Sequence, residues 1–94
     1  MTNSVVIVTG ASQGIGRSTA MRLARDFKSV VLVARNRAKL EETAAAVSSV
    51  YATPLIIDLD LSERSSAKGV VERALSTFGR IDALVNIARR GTAN

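Results

Sequence analysis

Residues 5–17 read Val-Val-Ile-Val-Thr-Gly-Ala-Ser-Gln-Gly-Ile-Gly-Arg, and this stretch decides the fold. A short apolar, β-branched run passes into a glycine-rich turn, and a helical pattern opens at about Gly14. Gly10 allows a tight turn out of the strand, Gly14 lets backbone approach a pyrophosphate, and Gly16 lets the helix pack close to the strand. Free N–H groups and the helix dipole then face the anion. We interpret the stretch as a dinucleotide-binding turn, with an ordinary strand-to-helix turn as the alternative.

Three further apolar runs, at residues 30–33, 55–57 and 81–85, alternate with helical patterns along the rest of the chain. Short continuous apolar runs are typical of strands in a parallel sheet that is covered on both faces. Each helical pattern places apolar residues on one face, namely Gly16, Ala20, Leu23, Ala24 and Phe27, then Leu40, Ala44, Val47 and Tyr51, then Ala67, Val70, Val71, Ala74, Leu75 and Phe78. The order β-α-β-α-β-α-β predicts an α/β fold, a Rossmann-type doubly wound parallel sheet with strand order 3-2-1-4.

Local signals support these boundaries. Asn36 and Ser62 are placed as helix N-caps, Gly79 follows a helix as a C′ residue would, and Pro54 stands where a strand can begin. In the predicted order the fourth strand lies at an edge, although its residues are apolar enough for an interior position. An apolar edge favours pairing with another chain. We therefore expect that residues 81–86 could support self-pairing.

Composition excludes several classes of protein. The 94 residues contain no Cys and no His, which argues against disulfides, a thiolate nucleophile and the common metal sites, and we predict no metal. There is no apolar run long enough to span a membrane, and Met1 to Ser4 do not resemble a signal peptide, so a cytoplasmic protein is expected. The net charge of +5 suggests nucleic acid, but the cations, among them Arg17, are spread singly along helices. Solvated helix faces are the favoured interpretation, and no specific nucleic-acid partner is predicted.

The spacing Gly-x-x-x-Gly-x-Gly after Thr9 resembles the cofactor signature of the classical short-chain dehydrogenase/reductase family, and the resemblance extends from about Val5 to Ala88. It implies an oxidoreductase that transfers hydride between a nicotinamide cofactor and an alcohol or carbonyl group. It also implies that this turn contacts the cofactor through Gly10, Ser12, Gln13, Gly14, Ile15 and Gly16.

The end of the second predicted strand bears on the choice of cofactor. Rossmann folds that bind NAD usually carry an acid there, but Ala34-Arg35-Asn36-Arg37 has none. A guanidinium can pair with the 2′-phosphate of NADP(H), whereas a carboxylate would repel it. Arg35 therefore favours NADP(H), with Arg37 assisting, and NAD(H) is the alternative ligand. The competing interpretation is a solvated Arg that opens a helix.

Further contacts are implied by the resemblance. Asp58 would accept a hydrogen bond from the adenine amino group, with the backbone of Leu59 beside it; the alternative for Asp58 is a favourable charge near the start of the next helix. Asn86 would help to fix the central sheet, and the backbone of Ala88 would lie near the cofactor ribose. Arg89 replaces a glycine that the family usually has.

The catalytic Ser, Tyr and Lys of the family lie in a later half of its members, and no catalytic residue is predicted in this chain. Its one tyrosine, Tyr51, has Leu four residues later where Lys would be needed. We expect residues 1–88 to form an NAD(P)-binding segment that is inactive alone, followed by an unmatched tail at 89–94. The alternatives are a non-catalytic nucleotide-binding or self-pairing module, and a non-functional product of truncation or of a frameshift near Ala88.

Overall fold

Strands and helices alternate in the computed structural model, which describes residues 3–12, 14–59 and 64–87, and only the backbone of 64–66. The elements are β1 (Val5–Thr9), α1 (Gly14–Leu23), β2 (Ser29–Ala34), α2 (Arg37–Ser49), β3 (Thr53–Asp58), α3 (Arg64–Phe78) and β4 (Ala83–Asn86). The strands form one parallel sheet in the order β3-β2-β1-β4, as the sequence predicts. Pro54 is accommodated because β3 is an edge strand of this sheet.

Two apolar clusters fill the space between the sheet and its helices. On one face, Val6 and Leu32 are fully buried together with Leu40 and Val47 of α2, and Ala20 of α1 joins them. The other face contains Val5, Ile7, Val31 and Val33, which pack with Val70 and Ala74 of α3. All five residues of β1 are buried because this central strand is covered on both faces, which explains its unbroken apolar sequence.

Two of the predicted helix caps are confirmed. The side-chain oxygen of Asn36 accepts a hydrogen bond of 3.0 Å from the N–H of Lys39, as an N-cap does. Gly79 follows α3 with φ of 80°, and its N–H donates to the carbonyl of Leu75 over 2.8 Å. Ser62, the predicted N-cap of α3, lies outside the described residues.

The prediction that Tyr51 lies on the apolar face of the second helix is wrong. Helix α2 ends at Ser49, and Tyr51 follows it in a left-handed conformation with φ of 69° and 89% of its surface exposed. The chain must leave the helix here to enter β3, and the N–H of Ala52 turns back to the carbonyl of Val47. Between Leu40 and Val47 the fully buried residue is Thr43, whereas Ala44, which was predicted for this face, is only partly buried. A similar correction applies to α1, which ends at Leu23, so that Phe27 packs from the following loop.

The stripe predicted on α3 is only partly buried. Val70 and Ala74 face the sheet, but Val71 and Leu75 are 42% and 44% exposed. Leu84 pairs with Ile7, which packs on the α3 side of the sheet, so Leu84 lies on that side as well and is 62% exposed there. Among the described residues, no element packs beyond β4 to cover these three side chains. We call Val71, Leu75 and Leu84 the exposed apolar face.

The amino-terminal ends of β1 and β4 are joined by a polar contact. The carboxylate of Asp82 accepts hydrogen bonds from the N–H of Val5 at 2.8 Å and from the guanidinium of Arg80 at 2.6 and 2.9 Å. The hydrogen bonds from Arg80 are the main cause that lowers the pKa of Asp82, followed by the bond from Val5. This contact lies at the end of the sheet opposite to the glycine turn, so its role is structural.

Candidate cofactor-binding site

The loops that carry the predicted site residues meet at one edge of the sheet. Because the strands are parallel, their carboxyl ends lie side by side, and Thr9 pairs with both Val33 and Asn86, while Ala34 pairs with Asp58. Ligands of open α/β sheets bind in the crevice outside these strand ends. The fold therefore brings together the glycine turn after β1, the loop with Arg35 after β2, the end of β3 and the end of β4.

Each glycine of the turn has a distinct surrounding. Gly10 and Gly14 have φ of 67° and 59°, in the left-handed region that favours glycine. A Cβ on Gly10 would lie 2.7 Å from the carbonyl oxygen of Ile87, and a Cβ on Gly16 would overlap the carbonyl oxygen of Gly10. At Gly14, by contrast, no described atom lies within 4 Å of such a Cβ. Gly10 and Gly16 thus permit close packing, whereas the space beside Gly14 is open.

A threonine that sequence reasoning did not assign to the site fixes the turn to β4. The hydroxyl of Thr9 donates to the side-chain oxygen of Asn86 over 2.5 Å and accepts from the N–H of Ile87 over 3.1 Å. These bonds join residues 77 and 78 positions apart in the sequence. The side chain of Asn86 is therefore bonded across the sheet to the end of β1, and its role in cofactor binding stays a prediction.

Arg17 is the second residue whose role sequence reasoning missed. We expected it on a solvated helix face, but its side chain is only 33% exposed and bonds to both the glycine turn and α2. It donates to the carbonyl of Ser12 at 2.8 Å, to the hydroxyl of Thr43 at 3.0 Å and to the carboxylate of Glu42 at 3.0 Å. The only signal in the sequence was its place directly after Gly16, because its contact with Thr43 depends on how α2 packs.

Two arginines and an aspartate lie at the ends of β2 and β3. Arg35 is exposed in the loop, and Arg37 opens α2. The guanidinium of Arg37 lies 3.6 Å from the carboxylate of Asp58 and 3.4 Å from that of Glu41. The N–H of Leu59 donates to the carbonyl of Ala34 over 3.0 Å, which continues the pairing of β2 with β3. The residues predicted to read the 2′-phosphate and the adenine are therefore neighbours.

The remaining predicted residues are placed as follows. Ser12 is half-buried in the turn, and Ile15 is 73% exposed beside Gly14 at one end of a shallow groove along α1. Gln13, Ala88 and the tail at 89–94 lie outside the described residues. No helix in the described part of the chain is long and apolar enough to cross a membrane. A cytoplasmic location and the boundary at residue 88 stay predictions.

Comparison with known families gives a match to the model described as short chain dehydrogenase over residues 4–93. The NADP-dependent 3-hydroxy acid dehydrogenase of Schizosaccharomyces pombe is 39% identical over 88% of this chain, and the match covers 33% of that protein. This chain spans about a third of the length of the curated relatives it matches.

Two solved structures share the fold. A metagenomic short-chain oxidoreductase in complex with NADP superposes with a TM-score of 0.88 at 33% identity, covering 97% of this chain and 41% of the other. Carveol dehydrogenase from Mycobacterium avium in complex with NAD gives a TM-score of 0.89 at 25% identity, covering 99% and 38%. Both support a Rossmann-type sheet that accepts dinucleotides in proteins similar to this one.

Proposed function

We propose, since this chain belongs to the short-chain dehydrogenase family, that it binds NADP(H) as the cofactor-binding part of a hydride-transfer oxidoreductase. The observation that carries the proposal is the glycine turn at the carboxyl end of β1. There, backbone at Gly14 is open in the left-handed conformation, while Gly10 and Gly16 are closely packed. A pyrophosphate at this point would face the N-terminus of α1, where N–H groups and the helix dipole favour an anion.

The preference for NADP(H) over NAD(H) is proposed from charge. Arg35 and Arg37 lie at the end of β2, and residues 34–37 include no acid. Arg37 is paired with the carboxylates of Asp58 and Glu41, so a 2′-phosphate would have to compete with these acids for its guanidinium. Proteins similar to this chain are found with either cofactor. The Schizosaccharomyces pombe dehydrogenase is named as NADP-dependent, and carveol dehydrogenase from Mycobacterium avium was solved in complex with NAD.

The adenine and ribose contacts are proposed as well. Asp58 would accept from the adenine amino group beside Leu59, and the backbone near Ala88 would approach the ribose, with Gln13 and Ile15 completing the turn. The position of Asp58 at the end of β3, next to Arg37, supports the adenine assignment. Asn86 would act through the sheet, because its side chain is bonded to Thr9.

We assign no catalytic residue to these 94 residues. Tyr51 lies at the carboxyl end of α2, before β3, whereas the glycine turn lies at the other end of the strands. Leu55 occupies the position where the family pattern would need Lys. We therefore propose that this chain alone binds cofactor without turnover, and that oxidation or reduction of an alcohol or carbonyl group belongs to the whole protein.

The experiment is thermal unfolding of the purified chain titrated with NADPH and, in parallel, NADH. We expect saturable stabilisation by both, stronger with NADPH, because ligand that binds only the native state raises its stability. The double variant R35S/R37S should make the two responses equal, and R25S/R73S, at two exposed arginines outside the predicted site, serves as a control of the same charge change. Absence of any saturable response would refute cofactor binding, and equal responses in the unchanged chain would refute the preference for NADP(H).

Self-pairing through residues 81–86 is a second proposal, supported by the exposed Leu84 on the edge of β4 that no described strand pairs with. An open edge with an apolar side chain favours association between copies. Light scattering over a range of concentrations should show dimers for the unchanged chain and monomers for Leu84→Lys. A monomer at every concentration would refute this proposal without affecting the cofactor proposal.

A further inference from the structure

We infer that Arg17 and Thr43 form a clamp that positions the glycine turn for its ligand, an inference that rests on the proposed cofactor binding. Arg17, in the first turn of α1, reaches across to α2. One of its terminal nitrogens donates to the carbonyl of Ser12 over 2.8 Å, and its Nε donates to the hydroxyl of Thr43 over 3.0 Å. The turn is thus held from outside by a residue on the helix that follows it.

Thr43 completes the clamp from within the core. It is fully buried on α2, and its hydroxyl oxygen lies 3.0 Å from the carbonyl oxygen of Ala11 and 3.3 Å from that of Lys39. A buried hydroxyl costs free energy unless it is hydrogen-bonded. The hydroxyl accepts from Arg17 while it donates to Ala11 or Lys39. The bond to Ala11 joins α2 to the glycine turn across 32 positions of sequence.

The clamp fixes the direction of backbone N–H groups. In a trans peptide the carbonyl and the N–H point in opposite directions. With the carbonyl of Ala11 bonded to Thr43 on α2, the N–H of Ser12 is aimed away from α2. Oriented backbone N–H groups form the anion-binding part of such turns. The clamp therefore sets the orientation on which a pyrophosphate contact depends.

Arg17 acts as a positioning residue in this arrangement. Its guanidinium is already paired with the carboxylate of Glu42 at 3.0 Å and with the carbonyl of Ser12. It holds the turn that would contact the pyrophosphate, which NADP(H) and NAD(H) have in common. Arg35 and Arg37, by contrast, are proposed to contact the 2′-phosphate, which only NADP(H) has. Loss of Arg17 should weaken the binding of both nucleotides to the same extent, while loss of Arg35 and Arg37 should weaken the binding of NADPH selectively.

The test compares R17A, T43V and T43S with V47A, which removes buried methyl groups from the same helix without touching the turn. For R17A and T43V we expect a dissociation constant about tenfold higher for NADPH and NADH alike, the effect of losing roughly one hydrogen bond involving a charged or buried group. T43S keeps the hydroxyl and should bind as the unchanged chain does. V47A should lower the melting temperature but leave the affinity of the folded chain unchanged.

Amide hydrogen exchange gives a readout that needs no cofactor. In R17A the amide of Ala11, which donates to the carbonyl of Val33 over 3.2 Å, should exchange faster than in V47A at equal stability, and added guanidinium ion should slow it again. Unchanged exchange, or an affinity loss confined to NADPH, would overturn the clamp. If the unchanged chain binds neither nucleotide, the proposed function fails, and exchange at Ala11 alone then decides whether the clamp exists.

Discussion

The described residues cover the two faces of the sheet to different extents. On the face covered by α1 and α2, Leu40 and Val47 are fully buried, and the Arg17–Thr43 clamp bonds the glycine turn to α2. On the face of α3 and β4, the exposed apolar face of Val71, Leu75 and Leu84 remains in contact with solvent. This difference shows that the described residues are enough to pack and bond the glycine turn on one face. On the face of α3, apolar surface stays exposed and is available for association.

The largest expected effect is a difference in stability loss between two leucines, one on each face of the sheet, when each is replaced by Ala. Leu40→Ala should destabilise the chain by about 2–5 kcal/mol, because it leaves a cavity at a fully buried site. At concentrations where the chain is monomeric, Leu84→Ala should change stability by less than about 0.5 kcal/mol, because Leu84 is 62% exposed in one copy. Urea unfolding of both variants measures the contrast. Equal losses would mean that Leu84 is buried in solution, as self-pairing through β4 would cause, and dilution should then remove its share.

The next effect contrasts two helical glycines under the same substitution. Gly16→Ala should destabilise by about 1–3 kcal/mol, because the added Cβ overlaps the carbonyl of Gly10. In α3, a Cβ on Gly69 meets no described atom within 4 Å, so Gly69→Ala should stabilise by about 0.5–1 kcal/mol through helix propensity. Thermal melts of the two variants should shift in opposite directions. A neutral Gly16→Ala would contradict the close packing of turn and helix.

A smaller effect compares the carboxyl ends of α2 and α3. Tyr51 adopts φ of 69° after α2, where Gly79 adopts φ of 80° after α3. A non-glycine residue pays about 1–2 kcal/mol for this conformation, so Tyr51→Gly should stabilise by about 0.5–1 kcal/mol and Gly79→Ala should destabilise by about 1 kcal/mol. Denaturant midpoints of the two variants test this. A loss of stability in Tyr51→Gly would show that its exposed ring makes a stabilising contact.

The smallest effect concerns pH and the attachment of β4. The folded-state pKa of Asp82 is lowered, first by Arg80 and then by Val5, so its contribution to stability is present above the unfolded value of about 3.9 and is lost as pH falls through the folded value. The stability difference between the unchanged chain and D82N should therefore shrink as pH falls below about 4. Denaturant midpoints across this range measure it, and a difference that grows on acidification would contradict the assignment.

Sequence alone predicts the fold here because the decisive features are local. Continuous apolar runs such as residues 5–8 are typical of strands in a sheet covered on both faces, and the helices between them favour parallel order. Gly10, Gly14 and Gly16 mark the turn for steric reasons that the structure displays directly. The cofactor contacts of Arg35 and Asp58 stay predictions, because they concern a ligand and not the chain.

What sequence could not predict depends on partners far along the chain. Arg17 looks like any exposed helical cation until α2 brings Thr43 and Glu42 to it. The burial of Val71 depends on whether an element covers α3 beside β4, and the periodicity of one helix contains no such information. Tyr51 fits the helical period, but the turn toward β3 removes it from the helix first.

The place of β1 in the sheet has a consequence for how the chain is made. Of the four described strands, β1 is synthesised before the others yet lies at the centre of the sheet, and its partner on one side, β4, is joined to it by a bond between Val5 and Asp82, 77 positions later. A ribosome adding residues in order must therefore emit nearly all of the described chain before β1 gains its second neighbour. Until then the most apolar strand has an open edge, at the stage of biogenesis when chaperones engage nascent chains.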